Sequence, residues 1–105
     1  MASTNFLLVY SPRAQRDLKK LPPREAGQIL DDLQKLALPQ KAWPSGQVKK
    51  LRGHPYSEIK TGDYRTIFLC QGQKVIVLRS VNRRELEREL RRIDWHWLTQ
   101  WLKEL

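Results

Sequence analysis

The spacing of apolar residues changes along this chain, and each change predicts an element. Asn5–Tyr10 holds Phe6, Leu7, Leu8, Val9 and Tyr10 in an unbroken run. It is too short for a helix and rich in strand formers, so it predicts a short buried β-strand. Ser11-Pro12 follows, a serine able to cap backbone N–H groups and a proline whose fixed φ suits the first helical position. Ala14, Leu18 and Leu21 then carry a first helix over Arg13–Leu21. Pro22-Pro23 ends it and starts a second, where Ala26, Ile29, Leu30, Leu33, Leu36 and Ala37 recur as one apolar stripe. So short a link predicts an antiparallel helical hairpin with its stripe in the core.

Pro39–Gln47 is punctuated by Pro, Gly and Ser and reads as a loop. Val48–Leu51 is a short strand or loop edge. Tyr56–Lys60 alternates, Thr61-Gly62-Asp63 turns, and Tyr64–Cys70 forms the next strand. Cys70, inside that strand, reads as a buried small hydrophobe. Gln71-Gly72-Gln73 turns the chain again into Lys74–Val81, whose near-continuous apolar run predicts a central strand. Such short turns imply an antiparallel meander. Asn82 is the expected N-cap of a final helix from Arg83, with Leu86, Leu90, Ile93, Trp97, Trp101 and Leu105 at helical spacing. The expected fold is a single α+β domain over residues 1–105 in the order β-α-α-β-β-β-α. The helical hairpin should cover one face of an antiparallel-rich sheet and leave the other free for a ligand. Residues 92–105 form a Trp-rich helical extension.

Composition narrows the chemistry. One cysteine among 105 residues excludes an internal disulfide framework, and with two histidines a structural zinc site lacks its usual ligands. No cofactor motif is present. The first apolar run is too short for a secretory signal, and no segment approaches the roughly 20 apolar residues that span a bilayer. The expectation is a reduced, cytoplasmic domain that does not engage a membrane. Its net charge of +9 calls for a polyanionic partner. From Gly46 onward 13 bases oppose seven acids. Lys49, Lys50, Arg52, Lys60 and Arg65 there face only Glu58 and Asp63, and Arg79, Arg83 and Arg84 form a second group.

Four segments then stand together: Ser11 to Leu21, Lys50-Leu-Arg-Gly53, Ile59-Lys60 with Asp63-Tyr64-Arg65, and Val77 to Arg84. In their order and spacing the chain resembles the RelE/ParE superfamily of toxins from type II toxin–antitoxin systems, and specifically its RelE branch, over roughly residues 5 to 92. The resemblance implies a ribosome-dependent mRNA endonuclease that cleaves in the A site without a metal and inhibits translation. It also implies neutralisation by a RelB-like antitoxin, through which alone operator DNA would be engaged. In that chemistry the ribose 2′-OH attacks the adjacent phosphate, so the site needs a base, cations for the phosphoryl oxygens and an acid for the leaving oxygen. By the resemblance, Arg65, Arg84 and Lys60 are the catalytic cations, with Arg52, Lys50, His54 and Tyr64 as RNA-binding candidates.

Two positions depart from the branch. Glu58 stands where a second lysine is expected, and Leu90 stands where a tyrosine proposed as base or stacking platform is expected. Lys60, His54, Tyr64 and Glu87 are the substitutes for the missing base. Trp95, Trp97 and Trp101 are expected either in the core or at an antitoxin or self-association interface. Two other readings share the fold: a ParE-like inhibitor of DNA gyrase, and an inactive relative that binds only nucleic acid or antitoxin.

Overall fold

The serine predicted to open the helical layer does so. In the computed structural model, which describes residues 5–105, Ser11 is buried and its Oγ accepts from the Ala14 backbone N–H at 3.1 Å. The same hydroxyl donates to the Leu78 carbonyl at 2.9 Å, so the cap also ties helix α1 (Pro12–Lys20) to strand β5 (Lys74–Asn82). Helix α2 (Pro23–Gln34) follows directly. Its Asp32 accepts from Thr61 Oγ at 2.7 Å, which fixes the helix to strand β3 (Ser57–Thr61). Burial pushes the Asp32 carboxyl upward, but the hydrogen bonds from Thr61, Lys35 and Gln47 outweigh it and hold the group below its ordinary value.

The sheet has five strands in the order β1-β5-β4-β3-β2, with β1 Leu7–Tyr10, β2 Val48–Lys50 and β4 Tyr64–Gln71. β2 to β5 form the expected antiparallel meander, while β1 pairs parallel to β5, Leu7 opposite Lys74. The β1 run is not fully buried. It is an edge strand, and its Leu7 is 62% exposed. Within the 39–47 loop a 3₁₀ turn at Gln40–Ala42 is anchored by Trp43. The indole donates to the Leu38 carbonyl at 2.9 Å and packs edge-on to Phe68 at 5.6 Å.

On one sheet face, Ile59, Phe68, Val75 and Val77 pack against Ala14, Ile29, Leu33 and Leu36 of the helical layer. The opposite face is not free as expected. Leu51, Tyr56, Ile67, Ile76 and Leu78 gather there with Leu90 and Leu98 from the C-terminal segment. That segment is also not one helix. Asn82 caps a 3₁₀ turn, Arg83–Glu85, which leads into helix α3 (Leu86–Arg91). The chain then breaks, and Asp94 caps a new helix, α4 (Trp95–Lys103), by accepting from the Trp97 N–H at 3.0 Å. An aspartate with extended backbone competes with helix continuation, and here the cap prevails over the hydrophobic period. The break lets Leu90 and Leu98 meet one sheet cluster from two directions.

Cys70 corrects another expectation, because it is exposed. β3 starts at Ser57, opposite Phe68, so Cys70 lies beyond the end of its neighbouring strand.

Arg79 joins the layers. Its guanidinium donates to both oxygens of Asp17 on α1, at 2.7 and 3.2 Å, and to Glu89 on α3. The Ser80 N–H also reaches Asp17 at 3.0 Å, and Arg92 holds the second oxygen of Glu89 at 3.2 Å. Glu89 is buried, which pushes its carboxyl upward. Arg79, then Arg92, outweigh that and hold it below the ordinary glutamate value.

Candidate functional site

Strand alternation assigns each candidate to a face. Lys60 is directly opposite Arg65, and Arg65 is opposite Val81, so these three form one row across β3, β4 and β5. The adjacent row on the same face is Lys49, Glu58 and Ile67. Two backbone hydrogen bonds to Gln47 pin Lys60: Lys60 N–H to the Gln47 carbonyl at 2.9 Å, and Gln47 Nε2 to the Lys60 carbonyl at 2.8 Å. Arg65 sits just after the β3–β4 turn, whose Gly62 has φ +57. Its Nη1 donates to the Gly62 and Tyr64 carbonyls at 2.9 and 3.0 Å. The guanidinium is thereby held at the turn by neutral acceptors.

The end of β5 is fastened to the same turn. Arg83 N–H donates to the Asp63 carbonyl at 2.8 Å, and Arg84 N–H donates to Asn82 Oδ1 at 3.0 Å. Asn82 itself pairs with Tyr64. Arg84 is therefore exposed at the end of the sheet where Lys60 and Arg65 stand. Among the described residues, none of these three side chains has an ion-pair partner. Arg79 is the opposite case, a cation wholly committed to acids.

Arg52, Lys50 and His54 fall into a second group. The Leu51–Tyr56 segment closes through Leu51 N–H to the Tyr56 carbonyl at 3.0 Å, with Gly53 at φ +80. Its side chains and α3 border a cleft of about 480 Å³ lined by Lys49, Lys50, Arg52, His54, Glu87 and Leu90. Three cations face one carboxylate there. The two departures from the RelE branch also become concrete. Leu90 is a core residue that holds α3 on the sheet. Glu58 is buried on the face of Lys60, and its Oε1 has no hydrogen-bond partner.

Tyr64 is not with this group. Strand alternation turns it to the opposite face from Arg65, where it packs against the helical-layer core. The Trp residues divide: Trp97 stacks on Trp101 at 5.7 Å, Trp101 packs on the Leu90–Leu98 cluster, and Trp95 and Trp97 are exposed. The Asp17–Arg79–Glu89 network escaped sequence reasoning, since nothing local links Asp17 with a residue 62 positions on. No group of three or more His, Cys, Asp or Glu side chains suited to a metal ion occurs among the described residues. No helix among them is long and apolar enough to cross a membrane.

Solved structures place the fold. Similarity extends to RelE in the RelB–RelE complex from Methanococcus jannaschii, with a TM-score of 0.61 and 21% identity over 77% of this chain and 96% of that one. The archaeal RelE–RelB complex from Pyrococcus horikoshii OT3 gives 0.63 and 19% over 75% and 96%. The chromosomal ParDE system from P. aeruginosa gives 0.57 and 17% over 76% and 98%. No curated protein matches the chain significantly. Residues 8–87 match the family model of the ParE toxin of type II toxin–antitoxin systems. The match takes in the helical hairpin, the whole meander and the turn bearing Arg84, and so the chain belongs to the ParE toxin family, within the RelE/ParE superfamily of type II toxins.

Proposed function

We propose that this toxin is a ribosome-dependent endoribonuclease that cleaves mRNA in the A site and is restrained by a RelB-like antitoxin. The observation that carries the reading is the placement of Lys60 opposite Arg65, with Arg84 at the same end of the sheet and no acid paired to any of them. A row of unneutralised cations fits an attacked phosphate. Its non-bridging oxygens gain charge as the 2′-oxygen adds, and preformed cations stabilise that charge without reorganising. The planar fork of Arg65 suits two phosphate oxygens at once. Arg84 is placed to protonate or steady the leaving 5′-oxygen, and the cleft cations Lys50 and Arg52 to hold flanking phosphates. In this reading His54 or Glu87, which border that cleft, accepts the 2′-OH proton.

The test is a purified translation system with a defined mRNA. Wild-type protein should yield A-site cuts ending in 2′,3′-cyclic phosphates. Arg65→Ala and Lys60→Ala should each lower the cleavage rate on the order of 100-fold. An intact mRNA, or undiminished cleavage by the double variant, refutes the reading. A second reading is favoured by the ParE family match and by Leu90 at the expected tyrosine position: inhibition of DNA gyrase through protein binding. Loss of gyrase supercoiling at stoichiometric toxin, with mRNA left intact, would establish it instead.

A further inference from the structure

The segment beyond the family match carries an exposed indole that is two ring contacts away from the basic cleft. The Asp94 cap starts α4 and places Trp95 in its first residue. There its ring lies 6.2 Å from that of Tyr56, tilted by 60°. Tyr56 is buried, and its ring in turn lies 6.1 Å from His54 at an interplanar angle of 22°. His54 lines the cleft with Lys49, Lys50 and Arg52. Three neighbouring rings thus run from His54 in the cleft through Tyr56 to Trp95, which remains 49% exposed. Trp97 differs, because it already stacks on Trp101, nearly parallel at 7°.

We propose that Trp95 is a base-stacking platform for single-stranded RNA, holding a nucleotide next to the phosphates bound by Lys49, Lys50 and Arg52. An exposed indole two ring spacings from a cationic cleft combines the two interactions that single strands offer, a π-face on every base and a charged backbone. A duplex has no free base faces, and an acidic peptide would use the cations but gain little from the indole. The ligand class rests on the RNA-cleaving reading above, yet the inference concerns binding alone.

The experiment is fluorescence anisotropy with an 8-nucleotide, labelled, 2′-O-methylated RNA, which cannot be cleaved by 2′-OH attack, titrated at several salt concentrations. Trp95→Ala should bind about tenfold more weakly at every salt concentration, with an unchanged slope of log K against log salt. Trp95→Phe should retain most of the affinity. Arg52→Ala should instead reduce the slope by about 1. Trp95→Leu, which keeps apolar packing against Tyr56 but lacks a π-face, should bind like the alanine variant and so separates stacking from folding. An RNA with one base removed at the contacting position should bind wild type and Trp95→Ala equally. Unchanged RNA affinity in Trp95→Ala overturns the inference, as does a leucine variant that binds like wild type or wild-type protein that binds no RNA at low salt. Base-dependent binding without ribosomal cleavage would sink the nuclease reading alone, and ribosomal cleavage together with RNA affinity indifferent to Trp95 would sink this inference alone.

Discussion

Replacing Arg79 by alanine should destabilise this fold strongly. The side chain is 13% exposed, and it separates Asp17 and Glu89, which are 12% and 5% exposed. Removing it strips Asp17 of its ion-pair partner, leaves Glu89 with Arg88 and Arg92 at one oxygen only, and cuts the link from α1 through β5 to α3. Breaking a buried ion pair from one side costs about 3–5 kcal/mol. For a domain of this size each kcal/mol lowers the melting temperature by about 4–8 °C, so a fall of roughly 15 °C or more is expected. Thermal unfolding followed by circular dichroism measures the fall, urea denaturation gives the free-energy loss, and an unchanged m-value would show that the loss is in stability alone. Adding Asp17→Asn to Arg79→Ala should recover part of the loss, because the uncompensated charge disappears.

The pH dependence gives an independent reading of the same network. The pKa of Glu89 is lowered on folding from its ordinary 4.5, so its contribution is fully present above that value and fades as pH falls through the folded-state pKa. Glu89→Gln should therefore cost most near neutral pH, and its deficit against wild type should shrink steadily below about pH 4.5. A loss under 1 kcal/mol for Arg79→Ala, or a Glu89→Gln deficit that grows in acid, would refute the reasoning.

Two further outcomes are expected. Leu98→Ala removes a fully buried side chain that anchors α4 on the sheet. It should cost about 2–5 kcal/mol in urea denaturation, and a cost under 1 kcal/mol would mean that α4 is not docked. Cys70 is exposed, yet partial burial pushes its thiol upward while the charge of Lys50 opposes the rise. Its alkylation by iodoacetamide at pH 8 should be slower than that of an unstructured cysteine peptide, and Lys50→Ala should slow it further; faster reaction in either comparison contradicts this.

Much of the element order was legible because turn chemistry bounds each apolar run. Ser11-Pro12, Gly62 and Gly72 mark boundaries that backbone conformation enforces, and the two glycines of the hairpin turns have φ +57 and +59. The convergence of Lys60 and Arg65 also follows from a two-residue turn between alternating strands. Alternation equally forbids Tyr64 from sharing a face with Arg65, and that much is legible in the sequence. Other features have no local signal. The last apolar stripe continues in phase through Asp94, so only the cap geometry reveals the break. Arg79 reads as one more member of a basic group, although its partners come from α1 and α3 and remove it from any site. Parallel pairing of β1 with β5 depends on how the completed layers pack.

That last pairing has a consequence for synthesis. Leu7 meets Lys74, and Tyr10 meets Val77. A growing chain holds its first strand without a partner until most of its length has been translated. Closing so long a loop is slow, and the early strand is meanwhile an exposed apolar edge. The cationic row is completed late as well, since β5 flanks Arg65 on one side and carries the chain on to Arg84. A ribosome must therefore translate β5 before β1 can join the sheet, and a nascent chain does not bring Arg84 to the cation row until that strand has been made.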